Sequence, residues 1–441
     1  MKFLKIKNVL LLLFYLVSIN GSAQDSSVNK IPFDGMDLTW INGQNRQKNF
    51  PLTFSDKKTG ETILTGVAYL DTYFNYDFSN PIDNTHTNSA TIGRHKEFTL
   101  NLASIGIETN YKNIIGRIWL QTGNMLNIIQ EQDATVARGR NTSTSNLKMI
   151  REAAAGYHFN KWYGINVEMG IFMSYIGLES YVTQENWSYQ RSMVCDFTPF
   201  YFSGARLQMF PSKKFRTELW LLNGWQSYNS WNKSIGIGNS NYYRPNENIQ
   251  LVANFYMGKD NRTNTNRFHH DNSIVARYFN NKNAKGISQA AFSLNTHYGF
   301  QSGDGIKASN QYMMGTSLSN RIWFKQNNMA ITVRGDVVSN PGVYLAFTPS
   351  PVTPNDYTDA LAADPKQQLT IWQATTTFDI MPSDHVTFRL EYSYRQSNKP
   401  YFAGSGGTTS PDGWITTPTN TWRPDLMKDE SRITFALNFR L

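Results

Sequence analysis

From Val386 to Arg395 the chain reads VTFRLEYSYR, and the alternation is unbroken. Val386, Phe388, Leu390, Tyr392 and Tyr394 fall on one face; Thr387, Arg389, Glu391, Ser393 and Arg395 fall on the other. A period of two belongs to a strand, because successive side chains point to opposite sides of a sheet. The same pattern governs YGINVEMGIFM, where Tyr163, Ile165, Val167, Met169, Ile171 and Met173 oppose Gly164, Asn166, Glu168, Gly170 and Phe172. It returns in MAITVRGDVV from Met329 and in the closing SRITFALNFRL to Leu441. Alternation sustained from about residue 65 to the last residue restricts the chain to an all-β fold. Its apolar faces are either packed inward, as in a soluble sheet protein, or turned outward into lipid.

The connections decide between these. Short turn-rich links, such as NYKN (110–113), FNKW (159–162), PSKK (211–214), RPNEN (244–248) and PSDH (382–385), alternate with long polar stretches near 123–147, 174–197, 339–368 and 396–430. Short turns at one end and long loops at the other are the pattern of an outer-membrane barrel. Past residue 23 there is no apolar run of about 18 residues that could form a transmembrane helix. Mean hydropathy is −0.47, which a barrel tolerates because half of each strand faces water. Aromatic residues gather at strand ends, where a lipid–water girdle would sit: Tyr76, Trp162, Tyr163, Phe215, Tyr298, Phe324, Tyr394 and Phe439.

The expected architecture is a transmembrane, antiparallel, up-and-down β-barrel of about 16 strands, with short periplasmic turns and long extracellular loops. The eighth strand, near 233–243 (KSIGIGNSNYY), has the weakest pattern, but parity requires it: without it, the up-and-down counts from the two ends disagree by one. Residues 1–23 read as a secretory signal peptide, with Lys2, Lys5 and Lys7, a short apolar stretch from Val9 to Val17, and small residues before Gln24. Residues 24–60 form an irregular N-terminal lead-in or plug, and 61–441 the barrel. The single cysteine, Cys195, rules out an internal disulfide, and nothing near it in sequence resembles a Cys/His site. The chain carries a net charge of +9, but its Lys and Arg residues are scattered and its export signal gives little access to nucleic acid.

Between Glu168 and Trp225 the segments EMGIFMSYIGLESY, ENWSYQRS, PFYFSGARL and LLNGW resemble the OmpL-like beta-barrel porin family (beta-barrel porin 2) of Gram-negative bacteria. DLTWINGQNRQ, from Asp37 to Gln47, resembles the lead-in of members from the Bacteroidota. The resemblance implies a pore in the bacterial outer membrane. It carries no catalytic residues to transfer.

The polar strand faces then point into the lumen. They carry ten arginines (Arg117, Arg206, Arg216, Arg277, Arg321, Arg334, Arg389, Arg395, Arg432 and Arg440) and six acids (Asp71, Glu168, Glu218, Asp336, Asp379 and Glu391). Of these, Arg117, Glu168, Arg206, Arg216, Glu218, Arg334, Asp336, Arg389 and Glu391, with Trp119 and Trp220, are the expected pore-lining residues. Cross-strand pairs such as Arg206 with Glu218, or Asp379 with Arg389, would brace the wall. The tryptophans would pack under a folded-in loop or offer a stacking surface for sugar rings.

No catalytic site, metal site or cofactor is expected. The histidines cluster only in FHHD (Phe268 to Asp271), which is expected in an exposed loop because no second ligand pair has suitable spacing. The expected function is passive diffusion of small hydrophilic solutes or ions, with a mild anion preference from the arginine excess. A plugged barrel acting as adhesin or scaffold and a hydrolase at the barrel rim are the alternatives. Expected partners are outer-membrane lipid and the barrel-assembly machinery, with no nucleic acid; a homo-oligomer is left open. Cleavage after Ala23 is expected to leave Gln24 as the first mature residue. Mass spectrometry of membrane-extracted protein checks this, and a chain that keeps residues 1–23 would refute it.

Overall fold

A computed structural model describes residues 30–86, 89–136, 139–140, 144–230, 232–260, 264–345, 369–409 and 424–441. Sixteen antiparallel strands close on themselves. They are β1 Thr62–Asp77, β2 Phe98–Tyr111, β3 Ile114–Thr122, β4 Ile150–Phe159, β5 Ile165–Met173, β6 Tyr201–Ser212, β7 Phe215–Leu222 and β8 Gly236–Asn246. There follow β9 Ile249–Lys259, β10 Asn266–Asn280, β11 Ile287–Ser302, β12 Tyr312–Phe324, β13 Met329–Ser339, β14 Thr370–Ser383, β15 Val386–Ser397 and β16 Asp429–Arg440. Every strand pairs with its sequence neighbours, and β16 closes the ring on β1, with Phe435 opposite Phe74 and Ile433 opposite Tyr76. Leu441 and Ala68 exchange backbone hydrogen bonds of 2.9 Å just beyond the seam.

The eighth strand is present, pairing with both β7 and β9 and starting three residues later than the pattern of KSIGIGNSNYY suggests. The tenth differs more. FHHD is not in an exposed loop; it lies inside β10, where His269 and Asp271 are fully buried and His270 points outward. Outward-facing His270 and Asn272 interrupt the apolar stripe there, so hydropathy alone starts the strand near 273, seven residues too late.

The opening ambiguity resolves at β5. Met169 is 69% exposed on the outer surface, while Glu168 beside it is 2% exposed. Ile105, Leu318, Val333, Phe388 and Phe435 share the outer face with Met169. Charged residues lie inside and hydrocarbon outside, which is the inversion a lipid solvent demands.

The long connections are far from equivalent. After β3 the helix α1, Asn124–Glu131, turns Met125, Leu126, Ile128 and Ile129 into a buried apolar cluster. The third long loop, residues 174–200, leaves β5 and folds into the barrel, and nearly all of its residues are buried. Residues 30–47 lie across the short-turn end. Phe33 N–H donates to Lys213 O, Trp40 Nε1 to Glu247 O, and Arg46 to Val386 O.

Met169→Arg is expected to cost roughly 2–4 kcal/mol in lipid, the range for a cation at the midplane of a barrel's outer face. Met169→Leu should leave stability near wild type. Urea titration of the vesicle-embedded protein checks this; an arginine tolerated as well as leucine would exchange inside and outside.

Candidate functional site in the barrel lumen

The chemistry of the lumen is the meeting of the inward wall faces with the third loop. That loop brings many backbone N–H and C=O groups into the barrel, and each needs a partner. The wall supplies cations to its carbonyls. Arg389 holds Asp379 (2.9 and 3.2 Å) and donates to the carbonyls of Thr183 (2.8 Å), Ser188 (3.2 Å) and Asn186. Arg321 pairs with Asp379 at 2.7 Å and donates to Trp187 O at 2.9 Å. Arg334 pairs with Asp336 and with the loop's own Glu179, and donates to Gln190 O at 2.7 Å and Arg191 O at 3.3 Å.

Carboxylates do the converse. Glu391 accepts from the amides of Tyr189 (2.7 Å) and Gln190 (3.3 Å). Asp71 accepts from Tyr189 Oη and Thr183 Oγ1, both at 3.0 Å, and Asp271 accepts from Gly177 N–H at 3.1 Å. In the loop itself, Asp196 receives Ala90 N–H and Thr91 Oγ1 from the first long loop, residues 78–97 between β1 and β2.

All eleven residues expected in the pore lie on the inner wall, but they fall into two groups. Arg334, Asp336, Arg389 and Glu391 are covered by the third loop, and the arginine side chains are 1% exposed. Arg117, Arg206 and Arg216 are 17%, 16% and 22% exposed and form a ladder with acids. Arg117 meets Glu152 and Glu168, Arg206 meets Glu168 and Glu218, and Arg216 meets Glu218. Trp119 donates to Glu108 and carries Arg151 over its ring at 3.7 Å. Trp220 stacks on Tyr175 of the loop at 5.0 Å.

Three inner-wall or loop cations escape a reading by strand parity. Strict alternation turns Arg151 outward, but a register shift between Trp119 and Leu120 turns it in. Arg244, in what reads as a turn, is the inward end of β8, binds Gln250 at 2.7 Å and lies over Phe33. Arg191 sits in the third loop, where no period applies. None of the three has a carboxylate within 4 Å among the described residues.

Two constellations resemble reactive sites. Cys195, with no histidine near it in sequence, has one beside it in space: His297 Nε2 is 3.8 Å from Sγ, and Asn295 Oδ1 is 3.1 Å away. His297 then contacts His269, and His269 contacts Tyr344. The thiol is wholly buried, and desolvation with nearby Glu179 pushes it up to about 12. It therefore carries no thiolate at neutral pH and fastens the loop to β11.

Asp77, His86 and Glu430 form the other, with His86 Nδ1 3.6 and 3.8 Å from the two carboxylates. Arg395 Nη2, which can only donate, reaches His86 Nε2 at 3.1 Å. Nε2 is then the acceptor and Nδ1 carries the proton, so Nδ1 is not free to ligate a cation. Arg395 also grips Glu430 at 2.6–3.0 Å. The cluster is a hydrogen-bonded latch in which Arg395 joins His86 of the first long loop to Glu430 of the seam strand β16.

The family model described as beta-barrel porin-2, OmpL-like, matches residues 64–440. The chain belongs to that family. Its fold is also similar to the outer-membrane channel DcaP of Acinetobacter baumannii, with TM-score 0.50 at 9% identity over 88% of this chain and 99% of that one. Weaker similarities include an anion-selective porin of Comamonas acidovorans (TM-score 0.48, 8% identity, 86% and 99% covered). Pseudomonas aeruginosa OprD gives TM-score 0.41 at 8% identity, covering 91% and 98%. Comparison with curated proteins gives no match. Family and fold together make this an outer-membrane β-barrel porin.

Arg389→Ala is expected to release the third loop while the barrel persists. Unpairing a buried Asp379 contact and three carbonyls costs about 3–5 kcal/mol. Limited proteolysis should then cut within 182–190, with heat-modifiable migration of the barrel retained. A loop as protected as in wild type would show that Arg389 does not hold it.

Proposed function

We propose that this porin passes small hydrophilic solutes by passive diffusion, with a mild preference for anions. One observation carries the reading: the inner-wall arginines are unequally covered. Arg321, Arg334, Arg389, Arg395 and Arg432 are 0–4% exposed beneath loops, whereas Arg117, Arg206 and Arg216 retain 16–22% exposure. The wetted path therefore follows β3 to β8, past Arg117, Arg206 and Arg216, whose partners Glu168 and Glu218 are themselves buried, as are Trp119 and Trp220. The third loop narrows it and the arginines opposite anchor that loop.

Along this path the ladder of Arg117, Arg206 and Arg216 with Glu152, Glu168 and Glu218 is balanced, and paired charges largely cancel beyond a Debye length. The anion preference comes from Arg151, Arg191 and Arg244. Low-dielectric walls focus their field into the lumen. No step of the function is catalytic. The mature chain reaches the outer membrane after loss of residues 1–23, inserts through the barrel-assembly machinery and meets lipid on its outer face; association with further copies is compatible with this surface.

A second reading has its own observation. The third loop packs inside the barrel and residues 30–47 cross its short-turn end, with a cavity of about 110 Å³ between them and the wall, which favours a plugged barrel acting as scaffold or adhesin. Single-channel recording of the purified protein separates the two. Under the porin reading, wild type conducts, and its reversal potential in a KCl gradient lies modestly on the anion side. The preference should weaken as salt rises, and the double variant Arg151→Gln, Arg244→Gln should move it toward cations. A barrel without conductance would sink the porin reading; a cation-selective wild type would sink the assigned source of the field.

A further inference from the structure

The cavity between the third loop, the N-terminal segment and the wall is bordered by Tyr175, Ile176, Tyr181, Arg191, Phe200 and Tyr242. Its lining sets these rings beside polar groups: Ser174, Ser180, the Glu179 carboxylate and one cation. Arg191 is 2% exposed, and its Nε and Nη1 meet no acceptor. Nη2 reaches only Thr198 Oγ1, at 3.4 Å, and the guanidinium lies over the Phe200 ring at 4.5 Å. Its position is fixed from behind, because Arg334 holds the Arg191 carbonyl. A buried guanidinium without an anion is costly, and most buried charges are paired. Arg191 is thus pre-placed and unsatisfied beside this cavity.

We propose that Arg191 anchors a subsite for a small organic monocarboxylate. The inference rests on the porin reading for how the ligand arrives, and it names the solute class. A carboxylate matches the planar fork of a guanidinium. The rings of Tyr181, Phe200 and Tyr175 and the Ile176 side chain then cover an apolar body. Behind Tyr242, Arg216 stacks at 3.8 Å and Arg244 at 5.7 Å, so the far wall is also electropositive. Multiply charged oxyanions fit less well. There is one unpaired guanidinium, and Glu179, whose carboxylate is held by Ser192 and Arg334, borders the same space and repels a second negative charge.

The test uses the full-length purified barrel, with benzoate and inorganic phosphate as probes. In a planar bilayer in low-salt KCl, benzoate should block wild-type current saturably, and phosphate at the same concentration should not. Arg191→Gln should weaken the block about tenfold or more, as loss of a charge-assisted hydrogen-bond pair implies, and Arg191→Lys should fall between. Calorimetry on the detergent-solubilised protein measures benzoate binding without conduction. Heat-modifiable migration shows whether each variant is folded; if Arg191→Gln is not, Arg191→Lys and the wild-type contrast of benzoate with phosphate decide. Equal block by phosphate, unchanged block in a folded Arg191→Gln, or no benzoate binding in wild type would each overturn the proposal. A barrel that binds benzoate through Arg191 but does not conduct would overturn the porin reading and leave the subsite standing.

Discussion

Everything in this structure follows from one requirement: a backbone in hydrocarbon has no water to bond. A sheet meets it only by having no edge, so β16 must find β1. Closure at sixteen strands solves the outer problem and creates an inner one. The lumen is too wide to be filled by wall side chains. Into that space the chain sends residues 174–200, whose peptide groups then face the same requirement without a sheet to satisfy it. The wall meets the need with side chains. Arg321, Arg334 and Arg389 serve carbonyls of the loop, and Asp71, Asp271 and Glu391 serve its amides and hydroxyls.

Charged side chains suit this task better than apolar ones for a reason of geometry. An apolar patch would hold a loop by area and tolerate sliding. A guanidinium that binds Asp379 and three carbonyls at once, as Arg389 does, accepts one loop position. Apolar burial still contributes where the loop returns to the wall: Tyr175, Phe200 and Phe202 pack with Trp220 and Trp225. The N-terminal segment joins the same body. Gly43 N–H donates to Glu185 O, Trp187 Nε1 donates to Trp40 O, and Arg277 lies over Trp40. Loop and segment therefore share contacts across the lumen, and a displacement of one disturbs the other.

The barrel was legible in the sequence because alternation is imposed residue by residue by the two solvents. Even β8, poor in hydrocarbon, was recoverable from parity. What escaped was whatever breaks parity. The bulge opposite Leu120 turned Arg151 inward, and outward His270 and Asn272 hid the first half of β10. Parity also names a face without saying what covers it. Arg206 and Arg389 look equivalent in sequence, yet one stays partly exposed and the other is sealed under the loop. Cys195 meets His297 only because the loop crosses the barrel, a contact over a separation of 102 residues that no local pattern records.

The division of the arginines has a consequence for selectivity. Those under the loop are Arg321, Arg334, Arg389, Arg395 and Arg432, and the wall places Asp379, Asp336, Glu391 and Glu430 directly on them. If the loop swung away, it would uncover a set of charges already close to neutral. The cross-section would grow while the field along β3 to β8 changed little. The cations to which the proposed anion preference is assigned are held differently: Arg151 on Trp119 and Arg244 on Phe33, each by an aromatic ring of the wall or the N-terminal segment. Under the proposed function, width and charge preference would thus rest on separate residues, with Arg191 the exception, since it rides on the loop itself.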